Sequence, residues 1–168
     1  QKTFGCCRFV YNQTLAYRIE LYQTQEKSMS KFDCNNYVNH VLKPRYNFLL
    51  EPDKSSLTHS VWNMDNAYQK FFKEHAGFPK FKSRHNHRKS YTTDFTKNNI
   101  EVSFERNQIK LPKLRWVKAR IHREFVGRIK RATISQNPSG RYFVSVLVEQ
   151  EYFPLPTTGS AVGLDLGI

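Results

Sequence analysis

No run of about 18 apolar residues occurs in this 168-residue sequence, which excludes a membrane-spanning helix. No signal peptide is visible at its start. Cysteine is scarce: Cys6, Cys7 and Cys34 are odd in number and show no C-x-x-C spacing. That usage fits a reducing cytosol and provides neither a disulfide frame nor a zinc site within these residues. No Ser-His-Asp set and no Walker phosphate loop can be argued from spacing. Acids are short too, with 14 Asp and Glu against 27 Lys and Arg, a net charge of +13. What is present is an apolar fraction of 39% with 13 Phe, 9 Tyr and 2 Trp, enough for a folded core. The length fits one domain, or one domain with a piece of another.

The positive charge is unevenly placed. Residues 1–77 carry 10 Lys and Arg against 7 acids, residues 78–131 carry 16 against 4, and residues 132–168 carry 1 against 3. Solubility alone would spread the charge, so concentration in the middle third predicts a polyanionic partner.

Periodicity divides the chain. Cys7, Tyr11, Leu15, Ile19 and Tyr22 keep helical spacing, and Leu57, Val61, Met64, Tyr68 and Phe71 form a second helical stripe behind a cap at Asp53 or Ser55. Between them Asp33 is placed to cap a short helix ending before Pro44, and Gly77 and Pro79 close the long one. From Ile100 the period is two: Ile100, Val102 and Phe104, a turn, then IKLP. In WVKARIH (116–122), Val117, Ala119 and Ile121 oppose Trp116, Lys118, Arg120 and His122. GRIKRATIS, QNPSG and RYFVSVLVE read as a hairpin, and PLPTTGS (154–160) as a linker. Helices first and antiparallel strands after predict an α+β fold, with the strands as a small twisted β-barrel.

Two segments suit nucleic acid. GFPKFKSRHNHRKSYTT (77–93) interleaves Lys80, Lys82, Arg84, Arg88 and Lys89 with Phe78, Phe81 and Tyr91, with no acid. Cations along a path suit phosphates, and aromatic faces suit unpaired bases. Residues 110–131 add Lys113, Arg115, Lys118, Arg120, Arg123 and Lys130 with Glu124 the lone acid. The plain alternative is a solvated basic loop whose aromatics belong to the core, and Trp116 by itself reads first as a partly buried core residue. His85-x-His87 lacks Cys or carboxylate neighbours and reads as part of a basic loop rather than a metal site. Cys6 and Cys7 read as one core thiol and one at the core's edge.

Asp165 in GLDLG (163–167) is an acid between apolar strand residues, flanked by glycines that let a ligand approach. It suits an incidental acid at a strand end, the phosphate loop of an actin-like ATPase, or the first carboxylate of a ribonuclease-H-like nuclease. The ATPase loop usually continues with Thr or Ser, where Ile168 stands here. The basic segments before it favour the nuclease.

The runs RFVYN (8–12), NMDNAYQKFF (63–72), GFPKFKSR (77–84), YTTDFT (91–96), LPKLRWVKARI (111–121), GRYFVSV (140–146) and GLDLGI (163–168) occur in this order. Together they resemble the OrfB/TnpB proteins of insertion sequences, which are generally called transposases and are related to compact type V CRISPR nucleases. The resemblance implies an RNA-guided DNA endonuclease whose wedge-type, OB-like β-barrel carries a helical recognition insert before a ribonuclease-H-like (RuvC) domain. It divides this chain into a helix-turn-helix-like insert at 1–76, the basic barrel at 77–153, the linker at 154–160 and a first nuclease strand at 161–168. Its partners would be guide RNA and double-stranded target DNA, with a transposon-encoded transposase beside it, in a bacterial or archaeal cytoplasm.

The same likeness assigns Lys54 and Thr58, four apart on one helix face, and Thr96 as groove readers beside the target. Asp165 becomes the first of three nuclease carboxylates that hold Mg²⁺; the others, and a zinc-binding Cys-rich ribbon, belong to parts of such proteins not among these residues. Arg115 departs from the family's common LPKLGW, where glycine stands. On this reading the chain is an N-terminal fragment that binds nucleic acid without cleaving it. The competing reading is a non-catalytic helix-turn-helix regulator of DNA or RNA.

Overall fold

The computed structural model describes residues 1–86 and 88–151. PLPTTGS, GLDLGI with Asp165, and His87 therefore lie outside the described residues. Helices come first, with α1 (Lys2–Gln25), α2 (Lys31–Tyr37), the one-turn α3 (Lys43–Arg45) and α4 (Lys54–Glu74). Strands follow: β1 (Lys89–Asp94), β2 (Glu101–Ser103), β3 (Gln108–Leu111), β4 (Arg115–Lys118), β5 (Arg128–Gln136) and β6 (Tyr142–Glu149). The fold is α+β, as the change of period predicts.

The two long helices pack against each other through small residues. On α4, Leu57, Val61, Met64 and Tyr68 are buried at the predicted spacing, and Ser56 and Ser60 sit one turn apart where α1 approaches. The Ser60 hydroxyl donates to the Cys7 carbonyl, and the Cys7 thiol lies 3.4 Å from the Ser56 carbonyl oxygen. Larger side chains there would hold the helix axes apart. The α1 stripe is buried through Leu15, but Tyr22 is exposed, because α1 outruns the partners that cover it. Cys6 is as buried as Cys7 rather than lying at the core's edge, and burial pushes the Cys7 thiol up to about 12. Further along, Arg18 pairs with Asp65 at 2.9 Å and lies 4.0 Å over the Tyr68 ring, with both charged side chains only 12% exposed. Removing either partner would strand the other, at about 3 kcal/mol.

The segment between the long helices departs from expectation twice. The cap of α2 is Ser30, whose hydroxyl accepts from the Asp33 N–H while Asp33 accepts from the Ser30 N–H. Asp33 is thus the third helical residue of a capping box, not the cap. Nor does the helix end before Pro44: a π-helical turn, Val38–Leu42, leads directly into α3. Proline lacks an N–H and crowds the carbonyl four residues back, and the wider π turn relieves that crowding.

Among the described residues the strands form two open three-stranded antiparallel sheets, β1–β5–β6 and β2–β3–β4, and not the closed barrel expected. Closure needs each edge strand to find a partner. Here β1 and β6 are both edges of their sheet, and the second sheet's strands of three and four residues are too short to bridge them. In the first sheet a bulge between Ile129 and Arg131 turns the Lys130 carbonyl toward Phe95 N, which donates to it at 2.8 Å. That extra residue puts Ile129 and buried Ala132 on the core side although they are three apart. Phe4 joins helices to this sheet, meeting Tyr91 edge-on at 5.3 Å and stacking on Tyr142 at 6.3 Å.

The strand expected over WVKARIH is shorter than its pattern. Its pairing with β3 ends at Gln108 opposite Lys118, because the preceding residue, Asn107, already lies in the turn with φ 49°. From Ala119 to Val126 the chain has no regular structure, so Arg120 and His122 do not share a strand face with Trp116 and Lys118.

Candidate nucleic-acid interface

Apart from Lys130 on β5, the sequence-predicted cations fall into three places. Lys54 and Thr58 occupy the first turns of α4, with Lys54 exposed and the Thr58 hydroxyl donating to the Lys54 carbonyl at 3.3 Å. Thr96 is exposed in the turn that follows β1. The helix start and the turn form the first place, tied together by side chains that no sequence motif marks. Asp94 accepts from the Ser55 hydroxyl at 2.7 Å and pairs with His59 Nε2 at 2.9 Å, while Ser55 also receives the Asp94 N–H. Asp53 caps α4 through Ser55 N and accepts from the Thr93 hydroxyl at 2.7 Å. Asn99 closes the turn, accepting from Thr96 N and donating to the Asp94 carbonyl. A helix start and a strand end thus form one rigid corner presenting Lys54 and Thr96. Lys43 joins its charge: burial, then the nearby Lys54 ammonium, lowers the Lys43 pKa.

Asp94 makes this corner sensitive to acid. Partial burial by itself would raise its pKa, but hydrogen bonds from His59 and Ser55, with the charges of His59 and Arg131, outweigh it and hold the carboxyl below the usual range. A folded pKa below the unfolded one gives stability that is complete above about pH 4 and is lost as pH falls through the depressed value. Asp94→Asn should therefore cost about 1–3 kcal/mol at neutral pH. That gap should close toward the acid end of a series of urea unfolding curves; a gap constant with pH would contradict the assignment.

The second place is the segment after α4. Lys80, Arg84 and Arg88 are exposed and Lys89 half-buried, with Phe78 and Phe81 exposed between them. Asn12 of α1 fixes the segment, its side-chain amide donating to the Lys82 carbonyl at 3.0 Å and accepting from Lys82 N at 2.8 Å. The Lys82 residue as a whole is exposed, yet its ammonium lies 4.2 Å over the Tyr11 ring, and the water lost there lowers its pKa.

The third place is the β3–β4 ribbon and the chain leaving it, with Lys113, Arg115, Lys118, Arg120 and Arg123 all exposed. Trp116, expected as a partial core residue, is 45% exposed, and Val117 opposite it is 41% exposed. The ribbon is too thin to cover either face. Of the predicted cations, only Lys130 is engaged in an ion pair among the described residues, with Glu149 at 2.7 Å. The others keep their charge uncompensated, as a phosphate-binding surface requires.

Arg115 has φ 59°, in the left-handed region that favours glycine. Arg115→Gly is expected to raise stability by roughly 0.5–1 kcal/mol in urea unfolding while flattening the salt dependence of nucleic-acid binding by about 0.7 in log–log slope. A fall in stability would show that the guanidinium serves packing instead.

No three His, Cys, Asp or Glu side chains come together in a metal-binding group, and no helix is long and apolar enough to cross a membrane, among the described residues.

Comparison with known proteins gives two results. A family described as a helix-turn-helix domain, of the OrfB type found in IS605 elements, matches residues 1–27; in the structure that stretch is essentially α1 alone. Two curated proteins match along almost the whole chain. InsQ of Escherichia coli K12, which carries the name of an RNA-guided DNA endonuclease, is 30% identical over 98% of the chain and 40% of its own length. An RNA-guided DNA endonuclease of Streptomyces pristinaespiralis is 30% identical over 99% of the chain and 42% of its own length. The chain thus spans about 40% of the length of these relatives.

Proposed function

Because the chain belongs to the OrfB/TnpB family of insertion-sequence proteins, we propose that it is the nucleic-acid-binding part of an RNA-guided DNA endonuclease. In this reading it grips guide RNA and double-stranded target DNA. The observation that carries the reading is the set of exposed, unpaired cations on the segment after α4 and on the β3–β4 ribbon, with aromatic side chains exposed among them. Sequence would be read by guide pairing, and the protein would address phosphates and the short motif beside the target. Lys54, Thr58 and Thr96 are the groove readers of this proposal, held by the Asp94 corner. The two sheets would belong to the wedge.

Cleavage in this reading belongs to a ribonuclease-H-like domain in which Asp165 is one of three carboxylates around Mg²⁺. Two-metal hydrolysis needs several carboxylates holding ions about 4 Å apart, and Asp165 alone cannot supply them. The purified 168-residue chain is therefore expected to bind and not to cut.

Binding to a structured RNA and to duplex DNA, measured from low to moderate salt, tests the reading. The expected result is a linear fall of log affinity with log salt, at about 0.7–0.9 per phosphate contacted. Salt-independent binding would overturn it, and Mg²⁺-dependent cutting by this chain would overturn the division of labour.

The match over residues 1–27 favours one second reading, a helix-turn-helix regulator without a nuclease. Translating the DNA that follows Ile168 separates the two: a Glu, an Asp and paired Cys motifs in frame support the nuclease, and an early stop supports the regulator.

A further inference from the structure

The basic segment after α4 does not lie flat on the helices. Between it, α1, the first turns of α4 and β1 is a cavity of about 230 Å³. One water takes about 10–15 Å³ on this measure, so the space exceeds what a bare phosphate fills. Its lining is sorted by chemistry. Arg8 of α1, Lys82 and Arg88 of the segment and Lys89 of β1 supply cations, Asn63 of α4 supplies an amide, and Phe4 and Tyr91 supply an aromatic wall. No carboxylate lines it, and none of the four lysines and arginines has an ion-pair partner, among the described residues.

This arrangement would gain from an anion that completes it. It is also pre-organised. Asn12 locks the Lys82 backbone to α1 through two hydrogen bonds, and the Ser60 hydroxyl, on the cavity side of α4, is already satisfied by the Cys7 carbonyl. The segment therefore stays over the helices without a ligand to hold it.

We propose that this cavity takes up one nucleotide of an unpaired nucleic-acid strand, its phosphate against Arg8, Lys82 and Arg88 and its base against the Phe4–Tyr91 wall within reach of Asn63. The proposal rests on the nucleic-acid reading and deepens it: most of the interface addresses backbone, and this cavity singles out one unit of the strand. Arg8 and Asn63, which open the runs RFVYN and NMDNAYQKFF without a role of their own there, become binding residues.

The test is a titration of the isotopically labelled chain by NMR with inorganic phosphate, uridine monophosphate and a short oligouridylate. Uridine monophosphate should shift the Arg8, Asn63 and Lys82 signals saturably, at about one-tenth of the phosphate concentration needed for the same change. Arg8→Ala and Asn63→Ala should each raise its half-saturation about ten-fold, as expected for losing a hydrogen bond to a charged or buried polar group. Asn63 is exposed, so its variant is expected to fold even where Arg8→Ala does not. The oligonucleotide should displace the mononucleotide; coexistence of the two would overturn the strand assignment in favour of a free nucleotide. Phosphate as effective as the nucleotide means an adventitious ion only, and overturns the proposal. So does the absence of shifts at the cavity. If salt-dependent oligonucleotide binding survives that absence, the cavity proposal falls and the nucleic-acid reading stands; if the oligonucleotide fails to bind at all, both fall.

Discussion

Replacing Lys80, Arg84, Lys118 and Arg123 together by alanine is expected to weaken RNA and DNA binding on the order of 100-fold at low salt, with thermal stability unchanged. All four side chains are exposed and none is in an ion pair among the described residues, so the folded state loses nothing by their removal. Each is expected to neutralise one phosphate, and each phosphate released should lower the log–log salt slope by about 0.7–0.9, or about three units for the set. The slope is the more telling readout. Lost phosphate contacts reduce affinity and slope together. Replacing Lys110 and Lys130 is the matched control, because these lysines are already paired with Glu101 and Glu149 at 2.6 and 2.7 Å. Binding that falls equally in both variants would contradict the division between free and engaged cations.

The second large effect is expected at Gly127. Its φ of 125° is closed to other residues, and a Cβ there would run into the Glu149 carbonyl oxygen and come within 2.9 Å of Val148 Cγ1. Gly127→Ala should cost about 3 kcal/mol, read as a lowered urea midpoint. The damage should be local: Arg128 faces Glu149 at this end of the β5–β6 ladder, and the Lys130–Glu149 ion pair lies beside it. Two other glycines calibrate the measurement. Gly140 has φ 81° and open space, so alanine there should cost about 1 kcal/mol from backbone strain alone. Gly77 has open space and no such φ, and alanine should be close to neutral. Equal losses at all three positions would show that the hairpin end is not the close contact described.

Several features were legible because they are local. The α4 stripe, its Asp53 cap and the β5–β6 hairpin follow from spacing, capping chemistry and turn residues that lie within a few positions of one another. Strand β1 was not legible by pattern. Its buried positions are Tyr91 and Thr93, and its neighbours Ser90, Thr92 and Asp94 are polar as well, so no apolar alternation marks it. The end of β4 was not legible either, because it is set by the length of its partner rather than by its own residues.

The sequence by itself determined the fold class, the order of helices before strands, the confinement of positive charge to the middle third, and the resemblance to the OrfB/TnpB proteins. Each is a property of composition or of neighbours along the chain. The tertiary structure alone decided which cations stay unpaired, that the sheets remain open among the described residues, and that Asp94 binds a helix start to a strand end. It alone brought Arg8, Asn63 and Lys82 around one cavity. Partners such as Asn12 and Lys82, or Ser55 and Asp94, lie 70 and 39 residues apart. Nothing in the local pattern encodes such a pair, because it exists only after chain closure has brought its two halves together.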